Sequence, residues 1–248
     1  MYKQGIEVKR ETDLGIIIEK SSWFSIIESI FPGSERIYYP NDQDEVLHVI
    51  INGVDIAFIA GQGSSMAACM VERLRVYGAK AVMRVGTCGA LNKKIILWDP
   101  IVTTACFSSE GTSSHYLPEK YPLISDIKLN NVLLKNLEDL NISYQTGITV
   151  TSDGRWKEDP DLLKKLSLLN VLSIEMETAA IFAVCQFRGL PVSAINIPTD
   201  HPADDDSEDD FKGIPDRGAY PKNIEVALKK LVPVVVKTLL DFRETFSD

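Results

Sequence analysis

Apolar residues along this chain fall into short dense runs that alternate with stretches of helical period. Strand-sized runs occupy residues 14–18, 46–51, 54–60, 81–85, 100–106, 145–150, 171–175 and 191–198. Helical spacing covers 22–30, 66–77, 127–140, 160–168, 177–188 and 223–246. Asn52-Gly53 is a two-residue hairpin signal between two of the strands. Gly61-Gln62-Gly63-Ser64-Ser65 opens the helix at 66, and Gly78 stops it. The strand at 81–85 leads into a turn hinged on Gly86 and Gly89. The strand at 171–175 runs straight into the helix at 177–188, and polar residues 108–122 read as a loop. Strands interleaved with helices predict an α/β sheet covered on both faces. No repeat or linker divides the chain, so residues 1–248 are expected to form one domain.

Composition narrows the function. At 248 residues and 45% hydrophobic, the chain can bury a large core. A net charge of −9 opposes nucleic-acid binding, which normally needs a basic face, but leaves room for a small phosphate-bearing ligand. No N-terminal apolar run is long enough for a signal peptide or a membrane span, so no membrane partner is expected. Four cysteines without a CxxC pattern read as reduced thiols in a cytoplasmic protein. No His/Cys spacing supports a metal. Residues 204–210, acidic at six of seven positions, read as a solvated loop.

Three motifs carry candidate chemistry. Arg84-Val85-Gly86-Thr87-Cys88-Gly89-Ala90 offers a cation, a hydroxyl and closely approachable backbone for an anion or a ribose oxygen. The structural alternative for Arg84 is an internal salt bridge. Ser173-Ile174-Glu175-Met176-Glu177-Thr178 puts two carboxylates and a thioether at a strand end, where open α/β sheets bind ligands. One carboxylate suits a pair of ribose hydroxyls, and the other is expected to cap the following helix, Glu175 being the better placed. Pro198-Thr199-Asp200-His201 ends a strand on a carboxyl group that burial can keep protonated, able to give its proton to a leaving base. A turn-starting Asp is the plainer reading of that motif. Arg155 and Trp156 are candidates to orient or stack on a flat base, a core Trp being equally admissible. His115, in the 108–122 loop, reads as a surface residue before a ligand. Together the motifs supply what cleaving a ribosyl–base bond requires.

These motifs, in this order and spacing, resemble the nucleoside phosphorylase-I family of nucleoside phosphorylases and nucleosidases. The likeness runs from about Leu14 to the final helix. It implies a three-layer α/β/α sandwich around a central twisted mixed β-sheet, phosphorylase/hydrolase-like in fold, built into dimers that form trimers of dimers or hexamers. Its partners would be a nucleoside and phosphate, with no cofactor beyond phosphate as co-substrate. The resemblance assigns Arg84, Gly86 and Thr87 to phosphate, Met176 and Glu177 to ribose with Glu175 beside them, and Asp200 to protonating a purine. Arg217 is a candidate assistant to Asp200.

The chain also departs from that family. Phosphorolytic members carry Gly-Asp-Pro-x-Arg after the first strand; here Glu19-Lys20-Ser21-Ser22-Trp23 stands there. The arm that lends a neighbour an arginine reads Tyr39-Pro40-Asn41-Asp42. Each missing charged hydrogen bond to phosphate is worth about 1.5–3 kcal/mol. Three readings follow: a nucleoside phosphorylase acting on a purine nucleoside, a nucleosidase using water with Glu19 or Glu175 as base, and a silent nucleoside-binding subunit. Lys20, Arg36 or Lys94 would have to replace the lost cations in the first.

Overall fold

The computed structural model describes residues 2, 3, 5–40, 44–202 and 218–245. A small ladder pairs β1 (Tyr2–Lys3) with β2 (Ile6–Glu7). The main sheet begins with β3 (Leu14–Ile18); a single 3-10 turn, Ser21–Trp23, leads into α1 (Phe24–Ile30). β4 (Glu35–Tyr39), β5 (Asp44–Ile51) and β6 (Val54–Ala60) form an antiparallel meander. The β5–β6 turn sits on Asn52 and Gly53, both at positive φ (51° and 79°), as a type I′ hairpin demands. There follow α2 (Ser64–Tyr77), β7 (Val82–Ala90), β8 (Ile101–Ser109), β9 (Leu123–Ile124), α3 (Ile127–Asp139) and β10 (Gln145–Ser152). The chain continues through α4 (Pro160–Leu168), β11 (Val171–Glu175), α5 (Thr178–Arg188), β12 (Val192–Asp200) and α6 (Tyr220–Glu244).

The sheet runs β11-β10-β8-β12-β7-β3-β6-β5-β4, with β9 on β8, and β11 also pairs with β7. That last pairing closes β7, β12, β8, β10 and β11 into a ring. Parallel pairs (β3–β6, β3–β7, β12–β7, β10–β8, β10–β11) and antiparallel ones (β12–β8, β11–β7) coexist, so the sheet is mixed. Helices α2 and α5 bury Val71, Leu74, Ile181 and Phe182 on one face. On the other, α1, α3 and α6 bury Phe24, Leu133, Leu228 and Val235. The result is the expected α/β/α layering.

Two local expectations change. Strand β7 does not stop at Val85 but runs through Gly86 and Gly89 to Ala90. The glycines serve close approach within a strand, not a turn: a Cβ on Gly86 would meet the Arg84 guanidinium, and one on Gly89 would meet Pro202 Cγ at 2.7 Å. Strand β4 has no sequence signal, because it is largely exposed and buries only Tyr39. Among the described residues no helix is long and apolar enough to cross a membrane.

Candidate active site

The site grows from the closed ring. Arg84, on the central strand β7, pairs in register with Ile17 of β3 and Ala194 of β12, and only 2% of it is exposed. A lone guanidinium there would be prohibitive. Its Nη2 lies 2.5 Å from Glu177 Oε2 and 3.2 Å from Glu175 Oε2, and its Nη1 donates to Asn196 Oδ1. From Asn196 a polar chain crosses the ring's interior. Asn196 Nδ2 donates to Thr103 Oγ1 (2.9 Å), Thr103 meets Thr149 Oγ1 (2.7 Å), and Thr149 meets Ser173 Oγ (2.9 Å). Each of the five ring strands contributes one member.

The β11–α5 junction is fixed from two sides. Glu175 Oε2 accepts the backbone N–H groups of Glu177 (2.9 Å) and Thr178 (2.8 Å), which caps α5. Thr151 Oγ1 donates to the other Glu175 oxygen and accepts from Ala179 N. From the opposite side, Gly63 N–H donates to Glu177 Oε1 (2.6 Å) and Ser64 Oγ donates to the Met176 carbonyl (2.8 Å). Gly63 sits at φ +83°, a conformation that favours glycine.

Asp200 is aimed by a bulge. Pro198 pairs with Cys88, yet Asp200 pairs with Gly89, so Thr199 is the extra residue. Asp200 is buried, and its Oδ1 accepts from Thr199 Oγ1 (3.2 Å). It lines a cavity with Glu19, Thr87, Glu175, Met176 and Glu177, and exposed Arg155 and Trp156 complete the wall. Trp156 is 69% exposed, which excludes the core-Trp reading; Arg155 lies over its ring, 5.8 Å from the centroid.

Electrostatics follow from burial and charge count. Burial alone would discharge Arg84, but Glu175, Glu177 and Glu19 more than offset it and hold the guanidinium protonated. Burial pushes the Glu177 carboxyl above its ordinary range; Arg84 opposes this, while Glu175 and Glu19 add to it. Two carboxylates share one guanidinium, and Arg84 does not fully offset the burial of Glu177. Glu19 differs. Burial works against its charge, but Lys20, the Thr87 hydroxyl and N–H, and Arg84 outweigh it and hold its carboxyl below the ordinary range.

The expected site residues thus fall into two tiers. Thr87, Glu175, Met176, Glu177, Asp200, Arg155 and Trp156 share one cavity. Arg84 and Gly86 are not in its lining; the guanidinium lies within the protein and is engaged by carboxylates, as in the salt-bridge alternative raised for it. Arg217 and the acidic run at 204–210 lie outside the described residues. His115 is exposed on a 3-10 turn. Sequence reading missed Gly63, Ser64 and Tyr220. Tyr220, at the start of α6, has its hydroxyl pushed up to about 12, by burial first and then by Glu19, against the opposing effect of Thr87. Among the described residues no group of three or more His, Cys, Asp or Glu side chains is placed to hold a metal ion.

Residues 29–231 match the family described as the Phosphorylase superfamily. The chain belongs to this superfamily. Within it, a guanosine phosphorylase of Halorubrum lacusprofundi is 31% identical over 156 residues, 62% of this chain and 65% of that protein. A uridine phosphorylase of Haemophilus influenzae is 31% identical over 190 residues, 65% of this chain and 75% of that protein. The alignment therefore spans just under two thirds of the guanosine phosphorylase and three quarters of the uridine phosphorylase. The superfamily fold extends over nearly the whole chain. Purine nucleoside phosphorylase from Toxoplasma gondii, solved with immucillin-H, superposes with a TM-score of 0.81 at 23% identity, covering 98% of this chain and 100% of its own. Uridine phosphorylase from Vibrio fischeri ES114 gives 0.77 at 22% identity, covering 92% and 90%.

Proposed function

We propose that this chain cleaves the N-glycosidic bond of a purine nucleoside, releasing the free base. The observation that carries the reading is the convergence of Asp200, Met176 and Glu177 on one cavity of a phosphorylase-superfamily fold. Glu177 accepts the ribose hydroxyls, Met176 packs on the sugar face, and Asp200 protonates the base as the C1′–N9 bond breaks. Trp156, exposed on the same wall, offers a flat surface to the base. Asp200 supports a purine, whose N7 is a proton acceptor at the required edge. That relatives are named guanosine and uridine phosphorylase supports phosphate as the acceptor.

A second reading, with water as acceptor, is favoured by one contact: Glu19 already occupies the donors of Thr87. Release of free base from a panel of purine and pyrimidine nucleosides, followed chromatographically with and without phosphate, tests the proposal. Purine release is expected; no release from any nucleoside contradicts it.

A further inference from the structure

We propose that Trp98 is the positioning residue of Asp200: its backbone, held left-handed by the packing of its own ring, anchors the strand bulge that aims the carboxyl group into the cavity. The inference rests on the cleavage reading above and names what fixes the acid of that same site. Strand β12 reaches Asp200 through the extra residue Thr199. Such a bulge re-aims a side chain but leaves the ladder locally disrupted. The carbonyl of Pro198, immediately before the bulge, accepts the Trp98 N–H at 2.9 Å. Beyond Asp200, Pro202 packs against Gly89, where a Cβ would meet its Cγ at 2.7 Å. The acid is thus gripped two residues away on either side.

The conformation of Trp98 is the unusual part of this grip. Its φ is +74°, in the left-handed region that bulky residues rarely adopt. Other non-glycine residues with positive φ have local reasons for it. Asn52 sits in the β5–β6 hairpin, and Asn141 and Asn170 follow the ends of α3 and α4, where asparagine is an accepted cap. Trp98 is neither an asparagine nor a helix end. Its ring stands edge-on to Tyr220 with centroids 6.0 Å apart, and both rings pack against the core that includes Leu228 and Val235 of α6. Strained residues persist where their surroundings over-determine them, and they cluster at functional sites.

One residue therefore holds two parts of the site wall. Its N–H holds the end of β12, and its ring holds the start of α6, where the Tyr220 hydroxyl is raised by burial first, then by Glu19, with Asp200 adding to the rise. The value of φ sets the angle between the N–H and the side chain, so only the left-handed backbone lets Trp98 keep both contacts. Pro100 is pinned next door, its carbonyl accepting from Gln145 N–H at 3.0 Å. A return of φ to the ordinary region would consequently move the peptide between Leu97 and Trp98 and take the N–H away from Pro198.

The test compares Trp98→Ala with Trp98→Gly on a purine nucleoside and on p-nitrophenyl riboside, whose leaving group needs no proton. Alanine disfavours positive φ and has no ring to hold it there, whereas glycine adopts it freely. Trp98→Ala is expected to lose about 10²-fold on the purine nucleoside, the scale of a small misplacement of a reacting group, and little on the nitrophenyl riboside. Trp98→Gly is expected to recover most of that loss. Equal losses on both substrates would make Trp98 merely structural, and a glycine variant no better than the alanine one would remove the backbone from the account; either result overturns the inference. Amide hydrogen exchange supplies a second readout: the N–H at position 98 should be protected in the wild type and in Trp98→Gly, and exposed in Trp98→Ala. If Trp98→Ala does not fold, exchange in the other two proteins decides alone, and free exchange in the wild type overturns the inference. Absence of base release by the wild type overturns the cleavage reading instead, and the exchange measurement still decides whether Trp98 holds the bulge.

Discussion

Arg84 Nη2 and Glu177 Oε2 stand 2.5 Å apart in the closed part of the sheet, a buried ion pair directly behind the cavity. The pair exists because Gly86, two residues along β7, has no side chain: a Cβ there would collide with the guanidinium. Gly86→Ala is therefore expected to push Arg84 off its carboxylates. Breaking a buried pair costs about 3–5 kcal/mol, a loss that urea denaturation measures directly. An unchanged midpoint would mean that the guanidinium has room elsewhere.

Removing the carboxylate itself separates two roles. Glu177→Ala frees Gly63 N–H and one side of Arg84, and the nucleoside loses its ribose acceptor. Steady-state kinetics should show both a raised KM and a lowered kcat for ribonucleosides. A nucleoside lacking the 2′-hydroxyl should lose less from the substitution than the ribonucleoside does.

The hydroxyl chain through the ring makes a stability prediction away from the cavity. Thr149 links Thr103 to Ser173 and is fully buried. Thr149→Val keeps the shape but leaves two buried hydroxyls short of a partner, at a cost of about 1–3 kcal/mol. Chemical denaturation reads this out, and a neutral result would mean that the neighbouring hydroxyls re-pair.

Glu19 gives a pH dependence with a definite sign. Its carboxyl is held below the ordinary range because Lys20, Thr87 and Arg84 together outweigh burial. A depressed folded pKa adds stability above the unfolded pKa, and that stability is lost as pH falls through the folded value. Relative to wild type, Glu19→Gln should thus be destabilised by about 1–3 kcal/mol at neutral pH. The gap should narrow as the solution is acidified below the ordinary glutamate range. A gap that widens in acid would contradict the sign.

Most of the architecture was legible in the sequence because apolar runs and turn residues mark it. Asn52-Gly53 fixed the hairpin, Gly78 the end of α2, and the apolar period of 177–188 the buried α5. Strand β4 was not legible, since Glu35, Arg36 and Tyr38 face solvent and leave no alternation to read. Thr87, Glu177 and Asp200 were readable as candidates because polar groups beside apolar strand runs stand out, and Met176 because it lies between two carboxylates. Their partners were not. That Glu19 meets Thr87, 68 residues away, depends on β3 lying beside β7. The contribution of Gly63 to Glu177 spans 114 residues and likewise appears only once the sheet order is known. The glycines of β7 misled for a physical reason: a residue type that permits turns also permits close packing inside a strand.

The most direct test of the account asks whether Asp200 supplies a proton to the leaving base. Turnover of a purine nucleoside and of p-nitrophenyl riboside should be measured for the wild type and Asp200→Asn. Nitrophenolate leaves without protonation, so the substitution should cost about 10²–10⁴-fold on the purine nucleoside and little on the nitrophenyl riboside. Equal losses on both substrates, or no loss on the purine, would contradict Asp200 as the acid.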